Sequence, residues 1–202
     1  MTEQTLRADL NGLAERHSSV ARALQMVGYP RMRRRDHSFA SLAQIIMGQQ
    51  LSTKAADTIS DRVLQLLGRL SPDRFLSCSK QRLREAGLSH QKIGYLLELA
   101  LAIQTNQLAL ANLPNLKDEE VIRQITAIKG LGPWSAHMYL IFSLGRRDVW
   151  PSGDLAVRLG FSGIMGWNNR PDEMLVRQAG EAYAPYRTAL ALLCWRFYSE
   201  AP

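Results

Sequence analysis

The apolar positions of this chain recur at helical spacing almost from end to end. Phe39, Leu42, Ala43, Ile45, Ile46 and Met47, with Leu51 beyond them, fit one buried helical face. Ala55, Ala56, Ile59, Val63, Leu66 and Leu67 make a second stripe, and Ile93, Leu96, Leu97, Ala100, Leu101 and Ile103 a third. Ser71-Pro72 reads as an N-cap with proline at the first helical position. A short helix from Leu83 ends near Gly87. Asp118, Glu119 and Glu120 put acid into the first turn of a helix running to Ile128, where it suits the helix dipole. Pro133 starts a helix through about Leu144, and further helices cover 155–163 and 171–182. Pro185 opens the last, from Tyr186 to about Tyr198. No stretch alternates with period two, and no fixed repeat or long linker is visible. The pattern predicts an all-α fold of roughly ten helices joined by short connections.

Composition adds a partner to this picture. The 202 residues, 46% hydrophobic and 21% charged, are ordinary for a globular chain and can bury a core in one domain or two small lobes. Lys and Arg number 25 against 18 Asp and Glu, a net charge of +7, with a pI near 9.8. That balance favours a polyanion as partner. Cys78 and Cys194 are far apart and lack metal-ligand spacing, so they read as free thiols in a reducing compartment. An iron–sulfur cluster needs four cysteines. Walker, Rossmann and zinc-deaminase signatures are missing. The first ten residues lack the apolar core of a signal peptide, and runs such as 138–142 are too short to cross a bilayer. The expected location is cytoplasmic and nucleoid-associated, or nuclear in a eukaryote.

Two segments carry candidate chemistry. In Ile128-Lys129-Gly130-Leu131-Gly132-Pro133-Trp134, two glycines one residue apart separate two apolar helical patterns. Glycine tolerates positive φ and leaves its amide uncovered. A turn of this kind that ends in a helix start aims bare N–H groups at an anion, and it holds a phosphate backbone without reading sequence. An ordinary helix–helix loop with a glycine cap would share these features. Asp154 follows in Pro151-Ser152-Gly153-Asp154, a context that suits a helix N-cap. A carboxylate at a helix start can also face a developing cation, and the two roles are compatible.

Taken in order, segments 45–52, 88–92, 125–144, 149–159 and 185–195 resemble the helix-hairpin-helix (HhH-GPD) DNA glycosylases, and within them the 3-methyladenine DNA glycosylase II branch. The likeness covers about residues 36–198. It implies two helical lobes with an active-site cleft between them, bordered by the hairpin and the acid-bearing loop. The whole chain, 1–202, then reads as a single module. Residues 1–35 are an N-terminal helical segment of the outer lobe and 36–202 the core, with the hairpin at 128–134 and the catalytic loop at 149–155. Some larger relatives carry an extra β-rich N-terminal domain, and about 35 residues are too few for one, so a compact version is expected.

The same resemblance assigns roles. Asp154 becomes the catalytic acid. Trp134 falls where strand-cutting relatives carry a lysine nucleophile, which implies a monofunctional enzyme without AP lyase activity. Its ring would also attract a cationic alkylated purine. Tyr186 matches a second aromatic of the base pocket. Lys129, Gly130 and Gly132 meet the DNA backbone. Gln50, or alternatively Leu51, fills the gap left by a flipped nucleotide. The implied activity is excision of alkylated purines, of the 3-methyladenine and 7-methylguanine type, in base excision repair. The partner is double-stranded DNA containing damaged bases, bound by a monomer, with no membrane. No cofactor or metal site is implied beyond a monovalent cation that hairpins of this family can hold through backbone carbonyls. Two other readings stay open: a glycosylase for uracil or an oxidised base, and a non-catalytic module using the hairpin only as a clamp.

Overall fold

Caps written into the sequence set most of the helix starts. In this computed structural model, which describes residues 1–201, Thr2, Ser38, Ser52, Ser79, Ser89, Asp154 and Asp172 each accept the backbone N–H three residues on. In chain order the helices are α1 (Glu3–Arg16), α2 (Ser18–Val27), α3 (Phe39–Gly48), α4 (Thr53–Leu67), α5 (Pro72–Ser77), α6 (Lys80–Glu85), α7 (His90–Gln104), α8 (Asp118–Thr126), α9 (Pro133–Tyr139), α10 (Leu155–Met165), α11 (Glu173–Gly180) and α12 (Arg187–Glu200). Among the described residues there is no β-strand, so the all-α expectation holds. The expected helix from Pro133 to Leu144 changes character after Tyr139. Leu140–Leu144 form a π turn, where the Phe142 carbonyl accepts the Arg35 amide at 2.9 Å.

The chain divides into two compact units, and one of them is discontinuous. Residues 1–34 join 145–202 in the first, and residues 35–144 form the second. The first unit packs Leu6, Leu10, Leu13 and Val20 with Phe161 and Ile164 of α10 and Leu190 and Leu193 of α12, all buried. Phe161 sits edge-on to Trp150, Trp167 and Tyr183, with ring centres 5.4–5.8 Å apart. Helices α10 and α12 touch at Gly160, where a Cβ would stand 2.0 Å from the Cys194 carbonyl oxygen. Only a glycine permits that approach.

The second unit wraps α3, whose Leu42, Ala43, Ile46 and Met47 are fully enclosed. Two features depart from the sequence expectation. Leu51 is not part of the buried face: α3 ends at Gly48 and Leu51 is 40% exposed. Of the α4 stripe only Val63 and Leu67 are buried, while Ala55, Ala56, Ile59 and Leu66 are half-covered. Ala56 lines an open cavity, so part of that face meets no core.

Candidate functional sites in the two units

The hairpin of the second unit is built from its glycines and one glutamine. Gly130 has φ +92°, and a Cβ there would lie 2.1 Å from the Tyr95 ring. Gly132 is different. Its φ is −94°, which any residue adopts, and a Cβ would meet nothing within 4 Å. Positive φ therefore explains Gly130 alone, and the bareness of Gly132 leaves the start of α9 uncovered. Leu131 between them docks into the core, 3% exposed. Gln49, which caps α3, donates from Nε2 to the Gly130 carbonyl at 2.8 Å and to Ser135 Oγ at 3.3 Å. The Ile128 carbonyl accepts the Leu131 amide at 3.0 Å. A monovalent cation at this turn would share these engaged carbonyls.

Beside the hairpin lies a polar hollow of about 520 Å³, lined by Gln50, Gln91, Lys92, Tyr95, Lys129 and Gly132 among others. Its lining holds two lysines and no carboxylate, which suits an anion. Lys92 donates to the Met47 carbonyl at 2.8 Å, and burial lowers its pKa. A second cavity of the same unit, about 640 Å³, is lined by Gln50, Leu51, Trp134, Asp57 and Asp61 among others. Trp134 is 38% exposed at the start of α9, Leu51 is exposed, and Gln50 is held at φ +58°. Such a φ is uncommon without a glycine and marks local backbone strain. The structure thus gathers Gln50, Leu51 and Trp134 around one cavity, and Gln50, Lys129, Gly130 and Gly132 around the other.

In the first unit, Asp154 caps α10. Its Oδ1 accepts the Val157 amide at 2.9 Å and the Trp195 indole N–H at 3.0 Å. The loop before it is fixed by Thr188, whose Oγ accepts the Val149 amide and donates to the Arg146 carbonyl, both at 2.9 Å. Trp150 donates to the Val176 carbonyl at 2.9 Å. The Arg187 guanidinium grips both oxygens of Asp148 at 2.8 Å and reaches Glu181 at 3.0 Å. Burial opposes the Asp148 charge, but the Arg187 hydrogen bonds outweigh it and hold the carboxyl below its usual range.

Tyr186 precedes α12 with Arg147 5.3 Å and Arg16 5.5 Å from its ring centre. Arg147 is paired with the buried Asp9. Tyr186 and Trp195 are nine residues apart, roughly 13 Å along a helix axis, so Tyr186 caps the start of α12 and the residue that touches Asp154 lies past its middle. Trp195 and Arg187 were not singled out as individual residues in the sequence. Their partners are 41 and 39 residues away in the chain.

Comparison with known proteins decides the family. The sequence profile of the HhH-GPD superfamily of base excision DNA repair proteins matches residues 43–185. The chain belongs to that superfamily. Among HhH-GPD relatives, the DNA-3-methyladenine glycosylase 1 of Schizosaccharomyces pombe is 33% identical over 198 residues, covering 93% of this chain and 84% of the relative. A solved structure of the S. pombe 3-methyladenine DNA glycosylase in complex with abasic DNA matches with a TM-score of 0.81 at 31% identity, covering 95% of each chain. The crystal structure of a DNA-3-methyladenine glycosidase from Bacillus halodurans gives a TM-score of 0.80 at 32% identity, covering 94% of this chain and 88% of the other.

Proposed function

We propose that this HhH-GPD protein is a monofunctional DNA glycosylase that releases alkylated purines by hydrolysing the N-glycosidic bond. The observation that carries the reading is the Asp154 carboxylate, fixed by two N–H donors at the start of α10. It occurs in a chain similar to named 3-methyladenine glycosylases. An N-cap alone would serve any helix start, but a pure DNA clamp has no use for a carboxylate facing DNA.

The chemistry runs as follows. The C1′–N bond of a flipped nucleotide breaks, and its electron pair stays on the base. An N3- or N7-alkylated purine is cationic, so it leaves neutral and needs no general acid. The positive charge that builds on the sugar is stabilised by the Asp154 carboxylate. A water oxygen adds to C1′ and gives up its proton to Asp154 or to solvent. The products are a free base and an abasic site. At Trp134 there is no amine to form a Schiff base, and the indole face attracts the cationic ring. Two carboxylates, Asp57 and Asp61, outnumber the one cation, Arg35, around the cavity that Trp134 lines, which favours a positive base over neutral uracil or an oxidised base. Lys129 and the Gly132 amide hold the phosphate backbone of double-stranded DNA. Gln50, with its strained φ, and Leu51 occupy the gap in the stack. One chain is the acting species.

The test is release of methylated bases from DNA treated with a methylating agent. Wild type is expected to release 3-methyladenine and 7-methylguanine and to leave no borohydride-trapped adduct with DNA. Asp154→Asn is expected to fold and bind abasic DNA while releasing no base. A trapped adduct would overturn the monofunctional reading, and an active Asp154→Asn would overturn the role of the carboxylate.

A further inference from the structure

We infer that Trp195 is a positioning residue for the Asp154 carboxylate, fixing its plane through the indole N–H. This rests on the reading of Asp154 as the catalytic carboxylate. Three observations carry it. The indole Nε1 donates to Asp154 Oδ1 at 3.0 Å, and the Val157 amide donates to that same oxygen at 2.9 Å. Two donors from different directions on one oxygen remove the free rotation that a carboxylate at a helix cap otherwise keeps. An indole N–H is a donor only, so Asp154 Oδ1 is the acceptor in this bond.

The backbone places the indole with little slack. Gly160 of α10 lies against the Cys194 carbonyl, the residue before Trp195, and a Cβ at Gly163 would come 2.7 Å from the Phe197 ring. Two glycines one helical turn apart therefore seat α12 on α10 on either side of Trp195. Ala191, Leu192, Leu193 and Cys194 are buried along the same stretch, so α12 cannot roll without exposing them. The indole itself is only half-buried, which makes its hydrogen bond, and not core filling, the distinctive thing it does. Phenylalanine at 195 would keep an aromatic ring there, smaller than the indole, and lose the donor.

The reaction asks for this arrangement. A carboxylate that stabilises charge at C1′ or receives a water proton must present the correct oxygen at the correct angle. Misplacement of a catalytic group by about 1 Å costs on the order of a hundredfold in rate. A residue 41 positions away, on another helix, holds that angle.

The experiment compares single-turnover base release, affinity for abasic-site DNA and thermal midpoint for wild type, Trp195→Phe and Asp154→Asn. Expected for Trp195→Phe is a loss of about 10- to 100-fold in the single-turnover rate, with abasic-DNA affinity within about twofold and the thermal midpoint nearly unchanged. Benzothienylalanine at 195, which replaces the N–H with sulfur at constant shape, is expected to give the same rate loss and keeps the test usable if the phenylalanine variant folds poorly. Parallel loss of rate, affinity and stability in both variants would make Trp195 a packing residue and overturn the inference. So would an unchanged rate in both variants alongside an inactive Asp154→Asn. An active Asp154→Asn would instead overturn the catalytic reading on which the inference stands.

Discussion

The two hairpin glycines should separate folding from binding when each becomes alanine. At Gly130 the backbone has φ +92°, and the added Cβ would fall 2.1–2.5 Å from three atoms of the Tyr95 ring. A left-handed residue bearing a Cβ costs about 1–2 kcal/mol. Overpacking against a neighbour costs roughly 1–3 kcal/mol more. Tyr95 is half-buried and can swing outward, at the expense of its 2.6 Å hydrogen bond from Gln91, so the steric part falls in the lower half of that range. Gly130→Ala should therefore lose about 2–4 kcal/mol. Gly132→Ala meets open space at an ordinary φ and should change stability by less than about 0.5 kcal/mol. Its methyl group would stand on the exposed start of α9, where a phosphate is proposed to approach, and should weaken DNA binding about tenfold, or 1.4 kcal/mol. Urea unfolding with a fixed slope reads the first quantity, and fluorescence anisotropy with abasic DNA at constant salt reads the second. A Gly130→Ala protein as stable as wild type would refute the argument from the Tyr95 contact. A stable Gly132→Ala protein with wild-type affinity would refute the hairpin amide as a phosphate contact.

Two further outcomes are expected. Gly160→Ala drives a methyl group into the backbone carbonyl of Cys194, which no rotamer change relieves, and should cost about 3 kcal/mol or more in urea unfolding; a loss under 1 kcal/mol would show that α12 shifts freely. Because Arg187 holds the folded Asp148 carboxyl below its usual range, that clamp stabilises the protein above the ordinary carboxylate titration and is lost as pH falls through the folded value. The thermal midpoint of wild type should then drop more steeply between about pH 5 and 2 than that of Arg187→Leu, and identical slopes would remove Asp148 from the account.

What was legible in the sequence was what local chemistry decides. The Gly-Asp-Leu context at 153–155 announces an N-cap, and Asp154 is one. Helical periodicity and Ser or Asp caps mark most elements without reference to distant residues. At Leu51 the helical periodicity continues across Gln49 and Gln50, whereas the backbone turns there with Gln50 at φ +58° and leaves Leu51 exposed. Gly132 was credited with a conformational need because a pair of glycines looks alike in sequence, and only the folded turn distinguishes their φ values. The bond from Trp195 to Asp154 and the two arginines around Tyr186 depend on helix packing, which no spacing encodes.

The discontinuous first unit also sets an order of assembly. Every residue of the second unit, hairpin included, has been synthesised by position 144. The first unit must hold α1 and α2 in waiting until α10–α12 emerge, because Leu6, Leu10 and Val20 share a core with Leu190 and Leu193. Chains grow from the N-terminus at about 5–20 residues per second, so the 41 residues from Asp154 to Trp195 take roughly 2–8 s to synthesise. A nascent chain stalled before α12 carries Asp154 without Trp195, and α1 and α2 without their α12 partners. On the ribosome, the half that holds the hairpin can precede the half that holds Asp154.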